Sequence, residues 1–328
     1  MIIVTGATGH IGNVLVRELL NRGEKIRALI PDFEDTYPLK NLDIEIVKCD
    51  VRDVNSLINA FNGAEYVYHL AGIISIGSGM TEIIHEVNVT GTKNVIEACI
   101  ISKVKRMVYV SSIHAFTEPP HGIPIVETKD FDPSKVVGHY GKSKAEATIE
   151  VFKSINRGLD AVIVHPTGVI GPYEFKLSNT GQVISDFLNR KLFAYIDGAY
   201  DFVDVRDVAI GIIKACKYGR TGENYILSGE QITVLNILKI LEEETGIKAP
   251  KTKIPLWLAK LSAPLFELYY KLMKQQPIFT SYSITTLMSN SLTSFDKASK
   301  ELGYTARPIR ESIKDTVTWL MKNKNDYL

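Results

Sequence analysis

Cysteine is scarce in this chain. Cys49, Cys99 and Cys216 lie far apart in 328 residues, with no CxxC pair. An odd, scattered set excludes a disulfide framework and suits reduced thiols in the cytoplasm. Net charge is nearly absent at +1, which excludes the basic footprint of a nucleic-acid binder. The opening MIIVTGATGH has neither the basic stretch nor the long apolar core of a secretion signal. No window reaches the ~18 uncharged apolar residues of a membrane-spanning helix. The seven histidines show no HxxxH and no Cys/His spacing suited to zinc, so no metal is expected. A soluble cytoplasmic enzyme or binding protein remains, of one large or two ordinary domains. With 45% hydrophobic residues it has enough for a normal core.

Short β-branched runs at 2–5, 26–30, 44–49, 66–70, 107–111 and 161–165 alternate with helical patterns at 12–22, 54–61, 84–103 and 140–156. Strands alternating with helices predict an α/β fold, a doubly wound parallel sheet of Rossmann type. The runs are continuously apolar, as expected when helices cover both faces. After Pro172 the alternation weakens: 201–218 reads as the approach to a helix and the helix itself, and 223–228 as a further strand. From Val234 the pattern is mostly helical, broken by Pro250, Pro255, Pro264 and Pro277. The expectation is a dinucleotide-binding domain of residues 1–172, with 199–229 returning to it. A smaller, mostly helical substrate lobe would comprise 173–198 and 230–328.

TGATGHIG (5–12) follows the first strand and opens a helix. Gly6, Gly9 and Gly12 would permit a tight turn, close approach to a pyrophosphate, and helix–strand packing. The loop residues Thr8, His10 and Ile11 join them as candidate cofactor contacts, since N–H groups at a helix start face an anion. The second strand ends ALIPD with no arginine after it. Asp32 is the candidate partner for ribose hydroxyls, which leans the cofactor to NAD over NADP. After the third strand, Asp50 and Val51 either hold adenine, or Asp50 caps the helix beginning at Val54.

Tyr140 and Lys144, in HYGKSKAEA, are i and i+4 and share a helix face. A phenol is a poor acid–base catalyst at neutral pH, and a neighbouring ammonium favours its phenolate. Tyr140 can then exchange a proton with a substrate oxygen while hydride moves at the adjacent carbon. RMVYVSSIHAF (106–116) is a strand ending in Ser111 and Ser112, with Ser112 the candidate donor to that oxygen and Ser111 its neighbour. Lys142 points away from the shared face.

Together these motifs resemble the extended short-chain dehydrogenase/reductase family. Further segments agree: YHLAG (68–72), NVTGTKN (88–94), HPTGVIGP (165–172) and DFVDVRDVA (201–209). The resemblance runs over about residues 1–229 and weakly beyond. It implies that Leu70, Ala71, Gly72, Asn88, Ser111, His165, Pro166, Thr167, Gly168 and Val169 also line the cofactor site. It gives Tyr140 and Lys144 contacts with the cofactor too, and it implies a homodimer through the helices at 84–103 and 140–156.

Within the family, dehydration is disfavoured because Ser112 is followed by Ile113-His114 and no carboxylate. Sugar-nucleotide members usually carry arginines where this chain has His165 and Tyr200, which weakens a nucleotide-sugar epimerase as the alternative reading. The dihydroflavonol reductase and 3β-hydroxysteroid dehydrogenase-like branch resembles this chain more, also in ENYILSGE (223–230) and KASKELGY (297–304). The expected activity is an NAD(P)-dependent interconversion of a secondary alcohol and a ketone on an apolar, ring-containing small molecule. Ile113, His114, Tyr173 and Tyr200 are the candidate substrate contacts. The apolar stretch 257–273 either packs within its lobe, walls an apolar substrate, or touches a membrane surface weakly. A non-catalytic cofactor sensor is the remote reading, since that class usually loses the tyrosine or lysine kept here.

Overall fold

The computed structural model describes residues 1–74, 81–262 and 281–323, with the side chains of 281–283 outside that description. Its frame is a seven-stranded sheet in which every adjacent pair is parallel. The strands are β1 (Ile2–Thr5), β2 (Ile26–Ile30), β3 (Glu45–Lys48), β4 (Tyr66–His69), β5 (Arg106–Val110), β6 (Ala161–Pro166) and β10 (Asn224–Leu227). Their spatial order is β10-β6-β5-β4-β1-β2-β3. β1 and β6 are buried along their whole length, because helices cover both faces. On one face α1 (His10–Leu20) and α7 (Val205–Tyr218) bury Val14, Leu15, Val208 and Ile212. On the other lie α2 (Val54–Ala60), α4 (Gly91–Ile101) and α5 (Gly138–Ile155), with Leu57, Val95, Cys99, Ala147 and Val151. The chain runs outward from β1 through β2 to β3, then returns to place β4 on the other side of β1. That reversal opens a crevice at the carboxyl ends of β1 and β4, where ligands of such sheets bind.

A second sheet has the order β11-β9-β7, from β7 (Gly168–Ile170), β9 (Ala199–Asp204) and β11 (Glu230–Thr233). β8 (Ala194–Ile196) pairs with β12 (Thr252–Ile254). Helix α6 (Asn179–Leu188), helix α8 (Val234–Thr245) and the last helix, Ile309–Lys322, bury Ile184, Leu238, Ile313 and Val317 in one cluster with Tyr200 and Phe202. This corrects the approach half of the 201–218 reading; the helix itself stands at Val205–Tyr218. Residues 199–204 form the central strand of the small sheet, and only then does Asp204 cap α7 by accepting from the Arg206 N–H. Two acidic residues in six masked a strand buried on both sides. The part returning to the large sheet therefore starts at Val205. Asp296–Leu302 also returns, since Ala298, Leu302 and Tyr304 pack with α7 rather than with the small sheet.

The helix expected over 84–103 is a short α3 (Thr81–His85), a π turn at Glu86–Thr90, and α4. Residues 256–262 are helical, with Trp257 and Leu261 each 68% exposed. The stretch 257–273 lies outside the described residues from 263 onward. Among the described residues no helix is long and apolar enough to cross a membrane.

The C-terminal segment is tied to α7 by ions. The Arg307 guanidinium meets Asp207 with three contacts of 2.7–3.1 Å and approaches fully buried Asp204, which Arg206 also grips at 2.8 Å. Removing Arg307 leaves the buried Asp207 carboxylate without its guanidinium, while Asp204 keeps Arg206. Arg307→Ala is expected to lower stability by about 3 kcal/mol, read as a shift of the urea midpoint.

Candidate active site

Gly6 sits at φ +69, and a side chain there would meet the Leu70–Ala71 backbone at 2.7 Å. A Cβ on Gly12 would lie 2.0 Å from the Gly6 carbonyl. Both glycines are required by the protein's own packing. Gly9 is different: it is exposed, and its Cβ would meet only the Gly6 carbonyl at 3.4 Å. It gives α1 no side-chain cap, and no acid occupies the first turn. An uncapped helix start beside an open glycine has the chemistry of a phosphate cradle, so these residues fit a dinucleotide. Thr8 donates its hydroxyl to Glu34, which also receives the Lys176 ammonium. Burial pushes the Glu34 carboxyl up, but hydrogen bonds from Lys176 and Thr8 outweigh it and hold the group below its ordinary value. Glu34 was missed by the sequence reading. Asp32 is exposed, and Glu34, two residues later, is the acid that reaches the glycine loop.

The two loops at the switch point are fixed by hydroxyls. Thr5 Oγ1 accepts from the N–H of Leu70 (3.2 Å) and of Ala71 (3.1 Å), so its own proton goes to His69 Nδ1 at 2.8 Å. His69 then donates from Nε2 to Thr92 Oγ1 (3.0 Å), which donates to the Asn88 carbonyl (2.6 Å). Burial holds His69 neutral, down to about 3. Asn88 lies in the π turn. Its side chain clasps both backbone groups of Ile73 and donates to Ser143 Oγ at 2.9 Å, which bonds the Tyr140 carbonyl at 2.7 Å. One chain of hydrogen bonds thus runs from the glycine loop to the start of α5.

Lys144 lies under the same loop. Its Nζ donates to the Val110 carbonyl at 2.8 Å and to Tyr109 Oη at 3.4 Å, and a Cβ on Gly72 would stand 3.5 Å away. Burial pushes this amine down to about 7. Buried Tyr140 lies one helical turn before it, and Tyr109 feels both groups, being in contact with Lys144 and in electrostatic reach of Tyr140. Ser112 Oγ accepts the His114 N–H at 3.2 Å, which leaves its proton to be given elsewhere. His114 lies between two phenols: its Nε2 is 3.0 Å from Tyr200 Oη, and its ring meets that of Tyr140 edge-on at 6.2 Å. Burial keeps His114 neutral. These contacts bring Ser112, His114, Tyr140, Lys144 and Tyr200 into one neighbourhood, with Ile113 and Thr167 lining the small cavity beside it.

Other candidates fall elsewhere. Ser111 is in the opposite register to Ser112; its hydroxyl meets Thr148 Oγ1 at 2.8 Å and braces α5. The ring of His165 is fully buried between Phe116 and Phe131, with Nδ1 3.3 Å from the Ser112 carbonyl, so it supports the Ser112 loop and cannot touch a cofactor. Tyr173 stands against α1, its ring under the Arg17 guanidinium at 4.6 Å and near Trp319, so it does not join the substrate contacts. His10 Nε2 lies 3.0 Å from the Pro172 carbonyl, and Ile11 packs on the core. Asp50 is held by Arg52, whose hydrogen bonds draw its pKa down; Asp53, not Asp50, caps α2. Val51 packs against Gly91. Pro166 closes β6, Gly168 gives room to Phe202 and Tyr200, and Val169 packs on the main core. Thr167 gives its hydroxyl to buried Asp201 at 2.5 Å. Among the described residues no group of acids, histidines or cysteines could hold a metal ion.

The profile of the NAD dependent epimerase/dehydratase family matches residues 2–228. The chain is 36% identical to sterol demethylase protein B of Methylococcus capsulatus, over 97% of each. It is 33% identical to a putative dihydroflavonol 4-reductase of Synechocystis, over 98% of this chain and 94% of that one. It is 29% identical to the 3beta-hydroxysteroid-dehydrogenase/decarboxylase isoform 1 of Arabidopsis thaliana, over 96% and 78%. Among solved structures, that of gox2253 superposes with a TM-score of 0.86 at 31% identity, over 98% of each chain.

The buried amine has a measurable signature. Lys144 titrates near 7 in the fold but at an ordinary 10.5 when unfolded. Between those values the unfolded state binds more protons, so wild-type stability rises with pH. Lys144→Met removes the buried ammonium. Its gain over wild type should be largest below about pH 7 and shrink towards about pH 10. Urea unfolding of cofactor-free protein across that range checks this; a difference that does not change with pH contradicts it.

Proposed function

The chain belongs to the NAD dependent epimerase/dehydratase family, and from that membership we propose that it interconverts a secondary alcohol and a ketone on an apolar, ring-containing small molecule. The observation that carries this reading is the grouping of Ser112, Tyr140 and Lys144: Ser112 Oγ accepts the His114 N–H, and buried Tyr140 lies one helical turn before the buried Lys144 amine. A water-sized cavity beside them is lined by Ile113, His114, Tyr200 and two acids, Glu118 and Asp201, with no Lys or Arg among the described residues. Burial raises both carboxyls above their ordinary range. The relatives named for sterols and for flavonol reduction support the same substrate class.

The residues divide the work as follows. Ser112 donates a hydrogen bond to the substrate oxygen. Tyr140 takes the hydroxyl proton on oxidation and returns it on reduction. Lys144, when charged, favours the Tyr140 phenolate and anchors the cofactor ribose. A bound NAD accepts or supplies the hydride at the carbon carrying that oxygen. In this reading Glu34, Gly9 and the start of α1 take the other end of the dinucleotide. The exposed apolar face at Trp257 and Leu261 belongs to the same reading, as the side from which an apolar substrate is met. Three unpaired, buried thiols suit a reducing compartment. A homodimer through 84–103 and 140–156 completes the reading.

Tyr140→Phe is expected to lower turnover about 10³-fold and Ser112→Ala about 10²-fold, with NADH affinity nearly unchanged for Ser112→Ala. The assay follows NADH absorbance against sterol, flavonoid and UDP-sugar panels. Full turnover by Tyr140→Phe overturns the mechanism. Conversion of a UDP-sugar without net change in NADH favours the epimerase instead.

A further inference from the structure

Glu34 and Lys176 lie 142 positions apart in sequence, yet they meet at the mouth of the glycine loop. Lys176 is brought there by the segment after β7, which is pinned to α1 at several points. His10 Nε2 stands 3.0 Å from the Pro172 carbonyl, Asn13 Nδ2 donates to the Tyr173 carbonyl at 3.0 Å, and the Arg17 guanidinium covers the Tyr173 ring. Tyr173 holds a left-handed φ of +68, an uncommon conformation for a residue with a bulky side chain. On the other side Tyr37 meets Phe175 edge-on at 5.9 Å. The segment therefore crosses the end of the crevice beside β2 and carries its ammonium to the acid that Thr8 holds.

We propose that Glu34 and Lys176 form one device that selects the dinucleotide, with Lys176 a specificity-determining residue for the cofactor. The proposal rests on the cofactor assignment above. A lone carboxylate one hydrogen bond from a pyrophosphate cradle would repel the pyrophosphate it borders. Lys176 offsets part of that charge, and Glu34, still ionised, can accept from ribose hydroxyls. A 2′-phosphate would bring further negative charge onto Glu34, so NADP is refused by the acid and not for want of a cation. If the acid is removed, the same ammonium becomes a phosphate partner.

The test is a double-mutant cycle in the full chain, with NADH and NADPH dissociation constants read from nucleotide fluorescence. Wild type should bind NADH more tightly. Lys176→Ala should weaken NADH about fivefold, because Glu34 is then uncompensated. Glu34→Gln should tighten NADPH about tenfold, and the double variant should lose that gain. The device is overturned if the NADPH gain survives in the double variant, or if Lys176→Ala leaves NADH affinity unchanged. Wild type binding neither nucleotide would overturn the cofactor assignment as well. Lys176 is largely exposed in its side chain (62%), so unfolding midpoints of the variants should stay near wild type and separate selectivity from stability.

Discussion

An amine is buried beneath the crevice of this fold, its partners among the described residues are neutral, and the surrounding groups are those that tolerate it. Lys144 has a carbonyl and a phenol as its hydrogen-bond acceptors. A carboxylate in contact would have anchored the ammonium and drawn its field away from Tyr140. Instead, hydroxyls and amides do the structural bonding around it: Thr5, Thr92, Asn88, Ser143, Thr148 and Ser111. The histidines near it, His69 and His165, are held neutral first by burial and then by the Lys144 charge itself. A second positive charge there would be costly in a low-dielectric interior. The proposed chemistry needs an ammonium able to bias a phenol, and this environment leaves the Lys144 field uncancelled.

The same bonds make the site rigid. The Thr5 hydroxyl has two backbone donors, so its proton can go only to His69, and the sequence of donations runs one way to the Asn88 carbonyl. The π turn rotates Asn88 so that it clasps Ile73 and reaches Ser143. A regular α-helical turn would carry that side chain to a different bearing. The glycine loop, the β4 loop and the first turn of α5 are thereby held as a unit.

What could be read from sequence was what local chemistry dictates. A glycine with positive φ, a glycine under a carbonyl and a tyrosine one turn before a lysine need no knowledge of distant contacts, and Gly6, Gly12, Tyr140 and Lys144 stand where their spacing implied. The strands buried on both faces were equally legible. The errors share a cause, which is long-range packing. His165 was assigned towards the cofactor, but Phe116 and Phe131, far away in sequence, enclose it. Tyr173 was assigned to substrate, but α1 holds it. Asp32 and Glu34 could not be told apart until the chain after Pro31 turned Glu34 towards Thr8 and Lys176. The choice of Ser112 over Ser111 as the substrate donor follows the strand alternation, since neighbouring residues leaving a strand face opposite sides; Ser111, expected at the cofactor, meets Thr148 instead.

Charge also changes along the crevice, and this bears on what it accepts. At the end near β2, an uncapped helix and the Lys176 ammonium favour a phosphate-bearing molecule, with Glu34 compensated. At the end near β9, the positions that would favour anions hold none: Tyr200 bonds neutral His114, and Asp201 and Glu118 face the cavity with raised pKa values. Among the described residues that end offers two acids, themselves held by Thr167, Gly229 and Asn290, and no Lys or Arg. The proposed reading asks little more of it than hydrogen bonds at one substrate oxygen, from Ser112 and Tyr140.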